Sequence, residues 1–96
     1  MEKVFITAAA RTPVGAFQGT LSQVPATKLG ATAIKSVMNQ SGLNPADINE
    51  VIMGQVLSAG AGQAPARQAA IYAGVAESAQ CLTINKVCGS GLKAVM

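Results

Sequence analysis

The sequence predicts an α/β fold in which helices cover a largely parallel sheet, and three observations carry that reading. Segments rich in β-forming residues at 3–9, 50–57 and 81–87 alternate with stretches of helical periodicity, giving the order β-α-β-α-β-α. Each pair of strands is separated by a helical crossover, as a parallel pairing requires. Half of the residues are hydrophobic but only 3% are aromatic, so the apolar content is largely Ala, Val, Ile and Leu. Small residues of this kind suit helices packed closely on a sheet better than a bulky self-sufficient core. Ninety-six residues make one small domain at most. A chain of that length buries only roughly 60–65% of its unfolded surface.

The first strand is expected over residues 3–9, an apolar run ended by Arg11-Thr12-Pro13-Val14-Gly15. Glu2 and Lys3 cancel in charge, so this run has no basic flank and does not read as a signal segment. Residues 16–24 read as an irregular loop. Pro25 then opens the clearest helix, with Ala26, Leu29, Gly30, Ala33, Ile34, Val37 and Met38 on one stripe. Thr27, Lys28, Thr32, Lys35, Ser36 and Asn39 fall on the other face. Pro25 suits the start of a helix and Gly42 the position just past its end. Asn44-Pro45-Ala46-Asp47-Ile48 reads as an N-capped single turn. Residues 50–57 form the second strand, followed by the small-residue loop 58–64. Pro65 starts a second helix that Gly74 stops, and strand 81–87 leads into Gly89-Ser90-Gly91 and a third helical segment. That segment has no stop signal, and three strands are few for a covered parallel sheet. The expectation is therefore the opening part of a larger protein.

Several function classes are excluded. The net charge of +3 comes from Lys and Arg at 3, 11, 28, 35, 67, 86 and 93. They do not cluster and no aromatic ladder accompanies them, so there is no nucleic-acid footprint. The loop 58–64 begins like a dinucleotide fingerprint, but Pro65 stands where the third glycine belongs, and no Lys-Ser/Thr follows for a phosphate loop. There is no His, and Cys81 and Cys88 are neither a zinc pattern nor a disulfide framework, so no metal is expected. Two such thiols at opposite ends of one strand fit a reducing, cytoplasmic compartment. No run approaches the length of a membrane span, and no membrane partner is expected.

The chemistry gathers at Thr83-Ile84-Asn85-Lys86-Val87-Cys88-Gly89-Ser90-Gly91-Leu92-Lys93-Ala94-Val95-Met96, a strand that turns sharply into a helix with Cys88 at the turn. In parallel sheets ligands bind beyond the carboxyl ends of the strands, where this turn lies. A thiol there faces the unpaired N–H groups and positive end of a helix, and both favour a thiolate. Gly89 and Gly91 keep side chains away from the sulfur. Spacing alone leaves two readings open, an activated nucleophile or a buried structural cysteine. Ser90 has no base and lacks the G-x-S-x-G spacing, so it is no rival nucleophile. Its hydroxyl can instead bond a free backbone N–H. Arg67 reads as a packing or solvated arginine, and Cys81 as a packed residue at a strand start.

Four segments together resemble the amino-terminal part of the thiolases, most closely the biosynthetic acetyl-CoA acetyltransferases. They are Ala10-Arg11-Thr12-Pro13-Val14-Gly15, Met53-Gly54-Gln55-Val56-Leu57, Gly62-Gln63-Ala64-Pro65-Ala66-Arg67-Gln68-Ala69-Ala70 and, most specific, Thr83 to Ala94. The resemblance runs over the whole chain, and Ala64 stands where many relatives carry Asn. It implies that residues 1–96 are the amino-terminal portion of the thiolase N-terminal domain, an incomplete piece of a layered αβαβα fold. It implies Cys88 as the catalytic, acyl-accepting nucleophile, with its backbone N–H helping to hold the oxyanion. The implied reaction is Claisen condensation of two acetyl-CoA to acetoacetyl-CoA and CoA, or the reverse thiolysis. No cofactor is implied, coenzyme A thioesters being substrates, and the intact protein would be a homodimer or homotetramer. The family pattern also needs a histidine and a second cysteine far downstream. This chain has no His, and Cys81 does not match that second cysteine. Asn85 and Lys86 are expected to shape the nucleophile turn or a subunit contact. Two alternatives stand beside this reading: a degradative 3-ketoacyl-CoA thiolase of broader chain length, and a catalytically inactive truncated piece.

Overall fold

The computed structural model describes all 96 residues. In chain order it contains helix α1 (Ala26–Ser41), a 3-10 turn (Pro45–Asp47), strand β1 (Glu50–Gly54), helix α2 (Pro65–Ala73), strand β2 (Gln80–Ile84) and helix α3 (Ser90–Val95). The two strands pair in parallel, Glu50 opposite Gln80 through Gly54 opposite Ile84, with α2 as the crossover.

The helix ends follow from local chemistry. Pro25 is extended and precedes α1, and Gly42 closes it in the left-handed conformation, its N–H reaching Met38 O. Asn44 caps the 3-10 turn in a full capping box with Asp47. Gly74 ends α2 with its N–H on Ala70 and Ile71 O. The stripe on α1 is shifted from the expected one. Thr27, placed on the outer face by periodicity, is buried with Ala31 and Met38. The helix turns this seam, with Gly30, toward α2, where a Cβ on Gly30 would come within 3.2 Å of both Ala69 Cβ and Met53 Cε. Ala26, Leu29 and Ala33 line an open hollow that Thr27 and Gly30 also border. Lys28 sits 3.4 Å over the Tyr72 ring and adds a cation–π contact between the two helices.

Alternation along the strands divides the sheet into two faces. Val51, Met53 and Cys81 join the core with Ala70, Ala73, Val75 and Ala79 on the α2 side. Gly54 points the other way, against the start of α3. Four buried alanines of α2, at 66, 69, 70 and 73, make the close packing that the composition implied. Arg67 is a packing residue: its guanidinium donates to Ala79 O at 2.8 Å and Glu77 O at 3.0 Å, holding the connection into β2.

One expected element is not formed. Residues 3–9 belong to no strand, and Val4, Phe5 and Ile6 are exposed. Thr7 and Ala8 lie beside the end of α1 across a small hollow from Met38 and Ile48. Ala10, Arg11 and Thr12 border a hollow of about 320 Å³ that separates them from Met53 and Gly54 of β1. The segment pairs with neither open edge of the sheet, whatever its local preference. The other two strands are shorter than their apolar runs, because the ladder ends at Gly54 and Ile84. The order is thus α/β with a parallel pair, and lacks the leading strand.

Candidate active site

Beyond Ile84 the chain leaves the sheet and reverses within five residues. Gln55 N–H still reaches Ile84 O at 2.9 Å. Asn85 then takes over with its side chain, Nδ2 donating to Val56 O at 3.3 Å and Oδ1 accepting from Val87 N–H at 2.9 Å. Gly89 N–H and Ser90 N–H close the turn onto Lys86 O and Val87 O. The Ser90 hydroxyl is buried, accepts from Lys86 N–H at 2.8 Å and donates to Val87 O at 2.7 Å. It is therefore committed to the backbone, as expected, and is not available as a nucleophile.

This bracing has a reason. Val87, the residue before Cys88, has φ 46°. A β-branched residue in the left-handed region is a true outlier, costing about 1–3 kcal/mol. Two or three hydrogen bonds at about 0.5–1.5 kcal/mol each are enough to offset that. Sequence alone placed Val87 at the end of a strand. Its valine gives no signal of a turn, and the positive φ is the correction.

Gly54 is the other residue that sequence reasoning passed over as a site component. A Cβ there would lie 2.7 Å from Ser90 C, 2.8 Å from Ser90 Cβ and 2.9 Å from Gly91 N. Its absence lets the start of α3, and with it the turn that holds Cys88, sit directly on the end of β1. A glycine inside a strand pattern is the signal that marks such an approach.

Cys88 is exposed and Cys81 is half-buried, and both are free. The Cys88 side chain is not packed within this chain. Its thiol and its backbone N–H are engaged by no hydrogen bond of the chain. Nothing approaches the Cβ position of Gly91 within 4 Å, so that side is open. Since α3 is only six residues long, exposure and backbone geometry mark the site more firmly than any helix dipole. Cys81 behaves as the sequence predicts. It packs beside the core, with Sγ 3.8 Å from Ala79 O and 3.9 Å from an Arg67 guanidinium nitrogen.

The hollow bordered by Arg11, Gly54, Gln55 and Thr83 opens toward α1 and α2 and does not include Cys88. No group of three His, Cys, Asp or Glu side chains comes together as a metal site. No helix is long and apolar enough to cross a membrane.

Residues 4–96 match the family model described as the N-terminal domain of thiolase. The chain is 58% identical over all 96 residues to an acetyl-CoA acetyltransferase of Cupriavidus necator, covering 24% of that protein. It is 56% identical over its full length to the mitochondrial acetyl-CoA acetyltransferase B of Xenopus laevis, covering 23% of it. Among solved structures, the Acat5 thiolase from Ascaris suum in complex with coenzyme A matches with a TM-score of 0.93 and 45% identity. That match covers 95% of this chain and 24% of the other. The chain thus spans about a quarter of the length of the curated relatives it matches.

Proposed function

The chain belongs to the thiolase family, and from that premise we propose that it supplies the nucleophile of an acetyl-CoA C-acetyltransferase, with Cys88 as the acyl acceptor. The observation that carries this reading is the unencumbered Cys88 thiol at a braced strand-to-helix turn beyond the carboxyl ends of β1 and β2. The names of the relatives, acetyl-CoA acetyltransferases in two organisms, supply the substrate class.

The chemistry follows from the residue type and its surroundings. The Cys88 thiolate attacks the thioester carbonyl of acetyl-CoA. The unpaired N–H of Cys88 is available to the oxyanion that develops on the carbonyl oxygen. Collapse of the tetrahedral species expels the CoA thiolate and leaves acetyl-Cys88. A second acetyl-CoA, deprotonated at its methyl carbon, attacks that acetyl group. The Cys88 thiolate leaves and acetoacetyl-CoA is formed, and the same steps reversed are thiolysis. The proton transfers need a base, which typically contributes about 10²–10⁴-fold. This chain has no His, and Cys81 is packed against Arg67 and the core. Its part is the nucleophile and the scaffold that presents it.

The test is condensation and thiolysis by the intact enzyme carrying this chain. Cys88→Ala is expected to lower both to background, while Cys81→Ala retains them. Activity surviving in Cys88→Ala contradicts the proposal. Turnover of acetoacetyl-CoA against a long-chain 3-ketoacyl-CoA separates the biosynthetic reading from a degradative one. The names of the relatives favour the short substrate.

A further inference from the structure

We propose that Asn85 and Ser90 are positioning residues for Cys88, acting through the left-handed backbone of Val87; this rests on acyl transfer at Cys88. Cys88 makes no hydrogen bond of its own, so the direction of its thiol is inherited from the peptide before it. That peptide follows Val87, which β-branching disfavours at φ 46°. Both of Val87's polar backbone groups are held by side chains. Its N–H donates to Asn85 Oδ1 at 2.9 Å and its C=O accepts from the Ser90 hydroxyl at 2.7 Å. Asn85 also ties the turn to the chain beyond β1 through Val56 O, and Ser90 fixes the preceding Lys86 N–H.

Asn85 is exposed, so it has no core to fill, and its side chain is spent on this bracket. Without the bracket, Val87 relaxes to negative φ. The following peptide then turns, and the sulfur no longer points where it did. A nucleophile misplaced by about an ångström loses on the order of 10²-fold in rate. The small free reagent iodoacetamide needs no fixed approach and is much less affected.

The test uses the intact enzyme with Asn85→Ala, Val87→Gly and the two combined. Acetylation of Cys88 by acetyl-CoA is followed to give its maximal rate and half-saturating concentration, and alkylation by iodoacetamide is followed in parallel. Asn85→Ala is expected to slow maximal acetylation by about 10–100-fold. Half-saturation and alkylation should change far less. Glycine adopts positive φ freely. With Gly at position 87, loss of Asn85 should therefore cost no more than about twofold, the margin for uncoupled sites. Ser90→Ala should show the same dependence on position 87.

An Asn85→Ala enzyme that acetylates at the wild-type rate overturns the inference. So does a double variant that keeps the full Asn85→Ala defect. If Asn85→Ala does not fold, failure of Val87→Gly to restore folding overturns it as well. Wild-type enzyme that takes no acetyl group on Cys88 instead overturns the acyl-transfer reading, and this inference falls with it.

Discussion

Ala64 and Val87 are both held at positive φ, and they differ in what holds them. Val87 is bracketed by Asn85 and Ser90, whereas Ala64, at φ 45° before α2, makes no side-chain capping bond. Asn tolerates this conformation because its short side chain bonds locally, and Asn is also a favoured cap. Ala64→Asn is therefore expected to stabilise the protein by about 0.5–1 kcal/mol, read by denaturant unfolding. An unchanged or lower midpoint would contradict the strain at Ala64. Neither strained residue was legible in the sequence, because alanine and valine carry no turn signal. Cys88 was legible as one of two readings, and its exposure in this chain is what the nucleophile proposal builds on. Asn85 and Ser90 were legible as shapers of the turn, but which backbone groups they hold was not.

At the scale of elements, punctuation gave the helices and long-range pairing limited the strands. Pro25, Gly42, Asn44, Pro65 and Gly74 each mark an end by local chemistry, and each does so in the structure. The run at 3–9 looks like a strand locally but pairs with neither strand of the sheet, and pairing is not a local property. Two contacts between elements were equally hidden. Thr83 Oγ1 in β2 accepts from the buried Ala66 N–H at 2.9 Å and so caps α2 from a distance of 17 residues. Thr83→Val keeps the shape and orphans that donor, at an expected cost of about 1–3 kcal/mol. A loss below a few tenths of a kcal/mol in equilibrium unfolding would mean the bond is dispensable. Gly54→Ala forces β1 and α3 apart, with an expected cost of about 1–3 kcal/mol. Because Cys88 lies two residues before the displaced helix, acetylation should fall further than stability alone explains. Normal acetylation kinetics in folded Gly54→Ala would show that the close approach does not matter to the thiol.

At the scale of the whole molecule, the core is small. Only 11 of 96 residues are buried, and all the hydrophobic ones are Ala, Val or Met. Val4, Phe5, Ile6, Phe17, Leu57 and Leu92 are exposed, and the two-stranded sheet has two open edges. Exposed apolar surface and unpaired edges favour association. The 96-residue chain by itself is expected to sediment as oligomers, to melt without a sharp transition and to show no condensation. A monomer with a cooperative melt would contradict this. The parallel α/β class was legible from alternation and composition, and the thiolase resemblance from residue order. The hollows that part residues 10–12 from β1 and residues 7–8 from the end of α1 were not, since they depend on where distant segments lie. The central claim is that Cys88 accepts the acyl group, and the most direct measurement is peptide mapping of the intact enzyme after brief exposure to labelled acetyl-CoA. The label is predicted on the peptide containing Cys88, released by CoA, and absent from Cys88→Ala; label on Cys81, or label that persists in Cys88→Ala, would contradict it.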